Sequence, residues 1–401
     1  MNKMEINELA IFGGKPCFQE KLHVGRPNIG DREQLLESIN EMLDNRWLTN
    51  NGPFVQELER RIKEFLGVKH CIVVCNATVG LEILARGLGW QGEVIVPSFT
   101  FVATTHALQW LGIKPIFCDI DPQTHNLDPQ YMESLITPQT TGILGVHVWG
   151  RPSAIPELAQ IANRHGLKLA YDAAHAFGCS FQNTMIGSFG EAEVFSFHAT
   201  KFYNSFEGGA ITTNSDGLAA RMRAMTNFGF QGYDNVISLG INGKMTEPAA
   251  AMGLASLDAL DQFIQKNLQN YQLYRQELAN IPGVKLIAYD ETERNNYQYI
   301  IAEIDGRQSI LNRDQINEIL HAENVLSRRY FYPGCHLMEP YRSLYPEAND
   351  RLIYTNQLTA RTLSLPNGTA VTEEDIRGIC QIIRMAIENG NEVAHRLTLH
   401  S

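Results

Sequence analysis

Along residues 70–213, short apolar runs alternate with segments whose apolar residues recur at helical spacing. Runs at 70–75, 93–96, 114–118, 141–148, 168–172, 194–197 and 210–213 read as buried strands, because apolar residues dominate them with no regular polar face. Helical spacing marks 31–45, behind an aspartate cap at Asp31, then 54–66, 155–165 and 217–225, with a shorter helix at 129–135. Strand and helix in turn over this length predict a mostly parallel sheet with helices on both faces. Beyond Pro248, a single long helix over 249–278 is the expected bridge to a smaller unit. There, a strand-like run at 297–304 precedes helices at 313–323, 350–358 and 373–389. The pattern therefore predicts an α/β fold. Residues 1–250 form its large domain, and 251–401 the bridging helix and a smaller C-terminal α+β domain.

Composition narrows the functions open to such a fold. A formal net charge of -11 argues against nucleic acid or an acidic membrane surface as partner. No stretch approaches about 18 uninterrupted apolar residues, so no span of a bilayer is expected. Residues 1–10 carry acidic side chains and no apolar leader core, which predicts a cytoplasmic protein. The seven cysteines are scattered, and Cys71 and Cys75 share one predicted strand without a second pair nearby. Reduced thiols follow, with neither a zinc site nor a disulfide frame. No GxGxxG follows the first strand, so a nicotinamide dinucleotide is not supported.

The candidate chemistry gathers where predicted strands end. The run through Phe197 stops at His198-Ala199-Thr200-Lys201, and Gly208-Gly209 leads into the next strand. An amine among Phe197, Phe202 and Phe206 loses hydration, which lowers its proton affinity and makes it a usable nucleophile. Upstream, the strand at 168–172 ends in Asp172, followed by small residues and His175. Earlier still, Asn76-Ala77-Thr78-Val79-Gly80 joins a strand to a helix start, whose free backbone N–H groups suit a phosphate. An aspartate for a pyridine nitrogen and a lysine for an aldehyde, one strand unit apart, look like a site for pyridoxal 5'-phosphate.

On these motifs, the chain from Gly13 to Asn389 resembles the DegT-like nucleotide-sugar aminotransferases, which have the fold of type I pyridoxal-phosphate enzymes. His198-Ala199-Thr200-Lys201 followed by Phe206-Glu207-Gly208-Gly209-Ala210 is most similar to the branch that aminates C4 of dTDP-4-keto-6-deoxyglucose. The resemblance implies catalytic roles for Lys201 and Asp172. It implies cofactor contacts from Ala77, Thr78 and Ser196, with Phe101 and His175 on the two faces of the ring. A homodimer with shared sites is implied too, in which Asn227 and Asn242 reach the partner's site. Tyr332 and His336 match a sugar-pocket element, with Gly334-Cys335 in place of a commoner Pro-Leu, and Arg329 is a candidate diphosphate contact. The implied substrates are a nucleotide-sugar and an amino acid, by analogy L-glutamate.

Three other readings stay open. Amination at C3 belongs to a sister branch. A sugar dehydratase of the same fold replaces the lysine with histidine, whereas Lys201 is present. A non-catalytic regulatory relative is expected to lose Asp172 or Lys201, and this chain keeps both.

Overall fold

The computed structural model describes residue 3 and residues 5–400, and its centre is a seven-stranded sheet. Across it run His70–Val74, Gly209–Thr213, Glu193–Ser196, Lys168–Asp172, Thr140–Val146, Glu93–Pro97 and Lys114–Cys118. Gly209–Thr213 is antiparallel to both its neighbours, and the other neighbouring pairs are parallel. Alternate side chains serve opposite faces. Val73, Ile95, Ile143, Leu169 and Tyr171 join Leu58, Ile62 and Leu158 in one core. Ile72, Val74, Val94, Val96, Leu144 and Ala170 join Leu84, Leu108 and Met222 in the other. With both faces covered, the strands carry the unbroken apolar runs seen in the sequence.

This topology decides where chemistry can sit. The parallel strands ending at Pro97, Asp172 and Ser196 deliver their following loops to one edge of the sheet. The strand Gly209–Thr213 starts from that same edge because it runs the other way. The connection 197–208, which carries Lys201, therefore folds back over the ends of its neighbours.

A second, antiparallel sheet of Val284–Leu286, Ile300–Ile304 and Thr362–Leu365 lies over the helix Glu373–Glu388. Its core includes Tyr274, Ile300, Leu363 and Ile379, and Leu9 and Leu22 from the N-terminal end join it. Leu22–His23 pairs in parallel with Val325–Leu326 as a separate two-stranded sheet, and Asn28 donates to Phe202 O, so residues 22–28 form a strap from the smaller unit to the lysine connection. Among the described residues, no helix is long and apolar enough to cross a membrane. All seven cysteines are free thiols.

The predicted single helix over 249–278 is two helices, Glu247–Asp258 and Leu260–Glu277, broken at Ala259. Their packing explains the break. The first lies on the helices Arg32–Asn45 and Pro53–Leu66, the second on Glu373–Glu388, and one straight axis does not serve both.

Glu247 fixes the start of that first helix against its neighbour. Its buried carboxylate accepts hydrogen bonds from Phe54 N (2.8 Å) and Val55 N (3.3 Å), in the first turn of Pro53–Leu66. Two otherwise orphaned donors and the positive end of a helix thus depend on one side chain. Glu247→Ala is expected to cost about 2–3 kcal/mol, read as a lower urea midpoint for the cofactor-free protein. A midpoint equal to the wild type would show that water replaces the carboxylate without loss.

Candidate active site

The loops at the carboxyl edge enclose a cavity of about 910 Å³. Ala77, Thr78, Phe101, Asp172, His175, Ser196 and Lys201 all line it, although up to 124 positions separate them in the chain (201 − 77 = 124). The strap contributes His23 and Gly25, and the small-sheet side contributes Gln298, Tyr299, Arg328, Tyr330 and Phe331.

Asp172 is the last residue of its strand and is buried. Thr104 donates to its Oδ2 at 2.7 Å and Ala174 N to its Oδ1 at 3.0 Å. Burial pushes its carboxyl upward, while those two donors and the Lys201 charge pull it back. A ligand cation beside it would favour the ionised form further. Lys201 presents its amine to the same cavity, where Nζ donates to the Tyr299 hydroxyl at 3.1 Å. Loss of hydration lowers its pKa to about 8, against the opposing pull of Tyr330 and Asp172. The amine is therefore partly neutral near physiological pH, as a nucleophile requires.

His175 is buried and held neutral, its pKa driven well below the usual range by burial and by the Lys201 charge. Its Nδ1 accepts from Trp149 N at 3.3 Å, and its ring lies parallel to Phe331 at 5.7 Å. Phe101 caps the helix Val102–Trp110 and is 55% exposed at the cavity. Opposite them the helix Ala77–Gly87 begins, with the Asn76 side chain accepting from Val79 N at 2.9 Å. The N–H groups of Ala77 and Thr78 belong to its first turn and have no acceptor within the helix. A Cβ on Gly209 would lie 2.9 Å from Ala77 N, so only glycine lets this helix start seat so closely on the sheet.

The remaining predicted residues lie elsewhere. Asn227 accepts from Lys244 Nζ at 2.8 Å and pairs with Asn242, and it lines a separate cavity of about 1180 Å³. Arg329 turns away to Asp314 at 2.9 Å, and Tyr332 lies between Arg313 and Arg329, with their guanidinium carbons 5.1 and 4.8 Å from its ring. His336 is buried between Ser98 Oγ (2.7 Å) and Asn356 Oδ1 (3.1 Å). None of these five lines the cavity that holds Lys201. The reason is local: the chain turns at Pro333-Gly334 into the short helix Cys335–Leu337, which carries His336 into the core. Arg328, Tyr330 and Phe331 face the cavity in place of Arg329 and Tyr332, and an arginine pair alone could not say which member points inward. His147 is a satisfied buried histidine. Its Nδ1 accepts from Ser153 N at 3.0 Å, and its Nε2 lies 3.1 Å from Glu193 Oε2.

The donor set fits pyridoxal phosphate. A helix N-terminus and a serine hydroxyl can bind its phosphate, a buried carboxylate its ring nitrogen, and a partly neutral amine its aldehyde, all from one cavity.

Comparison with known proteins agrees with this geometry. Residues 30–384 match the DegT/DnrJ/EryC1/StrS aminotransferase family. A dTDP-4-amino-4,6-dideoxy-D-glucose transaminase of Escherichia coli is 37% identical over 363 residues, covering 90% of this chain and 97% of the relative. A crystal structure of DesI in the presence of its TDP-sugar product shares 48% identity and a TM-score of 0.93, covering 98% of this chain and 100% of that one. Helicobacter pylori PseC, an aminotransferase involved in the biosynthesis of pseudoaminic acid, gives 26% identity and a TM-score of 0.85 over 92% of this chain and 100% of that one. The chain belongs to the DegT/DnrJ/EryC1/StrS aminotransferase family, and it is a pyridoxal-phosphate-dependent aminotransferase.

Proposed function

We propose that this enzyme moves an amino group from L-glutamate to C4 of dTDP-4-keto-6-deoxy-D-glucose, giving dTDP-4-amino-4,6-dideoxy-D-glucose. The observation that carries the reading is the joint burial of the Lys201 amine and the Asp172 carboxylate in one cavity, opposite a helix N-terminus. The likeness to transaminases of this sugar, and to DesI seen with its TDP-sugar product, supports the substrate. Amination at C3 is the competing outcome.

The bound cofactor supplies an aldehyde that accepts the amino group and a ring that draws electrons from the adjoining carbon. Ala77 N–H, Thr78 N–H and the Ser196 hydroxyl would hold its phosphate. Asp172, oriented by Thr104 and Ala174, would keep the ring nitrogen protonated. Phe101 and His175 would cover the two ring faces. Lys201 would anchor the aldehyde. Once its amine is free, Nζ takes the proton from the amino-acid α-carbon and returns it during transfer. In the half-reaction with the sugar, the same nitrogen moves the proton in the opposite sense. Arg328 lies over the Tyr330 ring at 5.3 Å and has no ion pair among the described residues. We assign it to an anionic part of a substrate, and read residues 1–250 as the cofactor-binding domain and 251–401 as the bridge and smaller domain.

We also propose a homodimer with shared sites in the cytoplasm. Exposed apolar side chains support it: Trp47 and Leu48 on one segment, Phe228, Tyr233 (98% exposed) and Leu239 (82%) on another. Segments of both line the cavity that holds Asn227, away from its own chain's Lys201. Asn227 and Asn242 then complete the partner's site.

Four outcomes are expected. In the cofactor-free protein, arylation of Lys201 by trinitrobenzenesulfonate should rise through pH about 8, well below the roughly 10.4 of surface lysines. The sign follows from burial, which disfavours the ammonium, so the reactive neutral form appears earlier as pH rises. Mass mapping identifies the site, and a midpoint near that of surface lysines would remove the desolvated-amine argument.

Asp172→Asn should still take up cofactor but lose about a hundredfold or more in kcat, since a neutral amide stabilises a ring cation poorly. An unchanged rate would assign that role to another acid. The C4 assignment is read from the product's regiochemistry by NMR, and an amine at C3 overturns it.

For the shared site, Asn227→Ala and Lys201→Ala subunits are mixed. One site of each hybrid carries both lesions and the other carries neither, so about half the hybrid's sites should be active. Inactive hybrids, under conditions where subunit exchange is demonstrated, would sink the shared-site reading.

A further inference from the structure

We propose that Tyr299 is a positioning residue, whose hydroxyl holds the Lys201 amine in place whenever that amine is not bonded to the cofactor. The inference rests on the role proposed above for Lys201 and adds a residue that no sequence motif marked. Its basis is geometric. Nζ of Lys201 donates to the Tyr299 hydroxyl at 3.1 Å and lies 5.7 Å from the centre of the same ring.

Tyr299 is itself immobilised. It is buried, with its ring meeting His175 at 4.7 Å, Trp149 at 5.2 Å and Tyr330 at 6.3 Å, all edge-on. Its carbonyl accepts from the Tyr289 hydroxyl at 2.8 Å. The carbonyls of Tyr297 and Gln298, just before it, accept from Asn367 Nδ2 at 2.7 and 3.0 Å. The hydroxyl is thus a fixed point on a wall of the cavity.

A fixed point is what a freed lysine lacks. Four rotatable bonds let a detached amine sample much of a cavity of about 910 Å³, and that freedom costs rate if the nitrogen must return to one carbon. The groups facing Nζ are Asp172, His175, Tyr330 and Tyr299. Asp172 is engaged by Thr104 and Ala174, and His175 is neutral. Burial pushes the Tyr299 phenol upward, so it stays protonated and does not serve as a base. A neutral hydroxyl suits both states of the lysine. It accepts from the ammonium that forms when Nζ takes the α-proton, and it can donate to the amine after that proton is returned. Nζ alone takes up and returns the proton, and Tyr299 neither gains nor loses one.

The test is Tyr299→Phe, which keeps the ring contacts and removes only the oxygen. In the cofactor-free variant, the arylation midpoint of Lys201 should move to lower pH, because the ammonium loses its hydrogen-bond acceptor. In the holoenzyme, a single half-reaction with L-glutamate, followed by bleaching of the cofactor absorbance, should slow by about tenfold to a hundredfold, the worth of a hydrogen bond to a charged group. The α-deuterium isotope effect should grow and glutamate affinity should hardly change. A purely structural role for the hydroxyl would shift affinity or folding and leave the isotope effect and the midpoint alone. An unmoved midpoint, or a half-reaction at the wild-type rate, overturns the proposal. If wild-type protein is not bleached by glutamate, the donor assignment fails, while the arylation midpoint still judges Tyr299.

Discussion

The site depends on burying an amine and a carboxylate at one edge of a sheet without letting either neutralise completely. Loss of hydration drives both the wrong way, Lys201 toward the free base and Asp172 toward the acid. Each is held back by the other's charge, and Asp172 also by two short hydrogen bonds from Thr104 and Ala174. The asymmetry matters. Asp172 has two donors, one from a helix and one from the turn that follows its strand, whereas Lys201 has one neutral hydroxyl, so the carboxylate is secured more firmly and the lysine keeps its nucleophilic form within reach. A strong ion pair between them would have locked the ammonium and removed the base that transamination needs.

The antiparallel strand Gly209–Thr213 makes this arrangement possible. If it ran parallel to its neighbours, the lysine connection would have to cross to the opposite edge of the sheet. Because it runs back, residues 197–208 stay among the carboxyl ends of three other strands. The glycine that opens it also lets the helix at Ala77 seat on the sheet, so one position serves the lysine loop and the proposed phosphate site together.

This explains which parts were legible in sequence. Strands buried on both faces give unbroken apolar runs, and all seven central strands were located to within about two residues, in keeping with the usual blur of strand ends. Lys201, Asp172, Ala77 and Thr78 lie at or within a few residues of the ends of such strands, so the pattern puts them at one edge and the structure has them in one cavity. The opposite wall could not be read. His23, Tyr299 and Arg328 come from three distant stretches, one of them a two-residue strand too short to carry a period. The small-sheet strands Val284–Leu286 and Thr362–Leu365 escaped for the same reason. A motif points to Arg329 and Tyr332, yet side-chain direction in an irregular turn is set by contacts such as Asp314, not by spacing.

The strap ties the two walls together. Asn28 donates to Phe202 O at 2.9 Å and takes Thr369 N at 2.9 Å and Thr369 Oγ1 at 2.8 Å on its side-chain oxygen, while its carbonyl accepts from Asn204 at 2.9 Å. Three residues earlier, Gly25 bridges to Asn367 and passes so close to Thr200 that a Cβ there would meet the threonine backbone oxygen at 3.0 Å. Asn367 in turn holds the carbonyls on either side of the Tyr297–Gln298 junction, next to Tyr299. Hydrogen bonds thus tie the lysine loop through Asn28 to Thr369, and two residues back along the chain Asn367 holds the two carbonyls that precede the residue facing the lysine amine. Opening the cavity by separating the small sheet from the large one would break several buried hydrogen bonds at once, each worth about 1 kcal/mol net and more if left unsatisfied. Phe101, His198 and Glu207 line the same cavity with exposed side chains, and none of them takes part in these cross-links. The same cross-links hold in place the walls that set the distance between amine and hydroxyl.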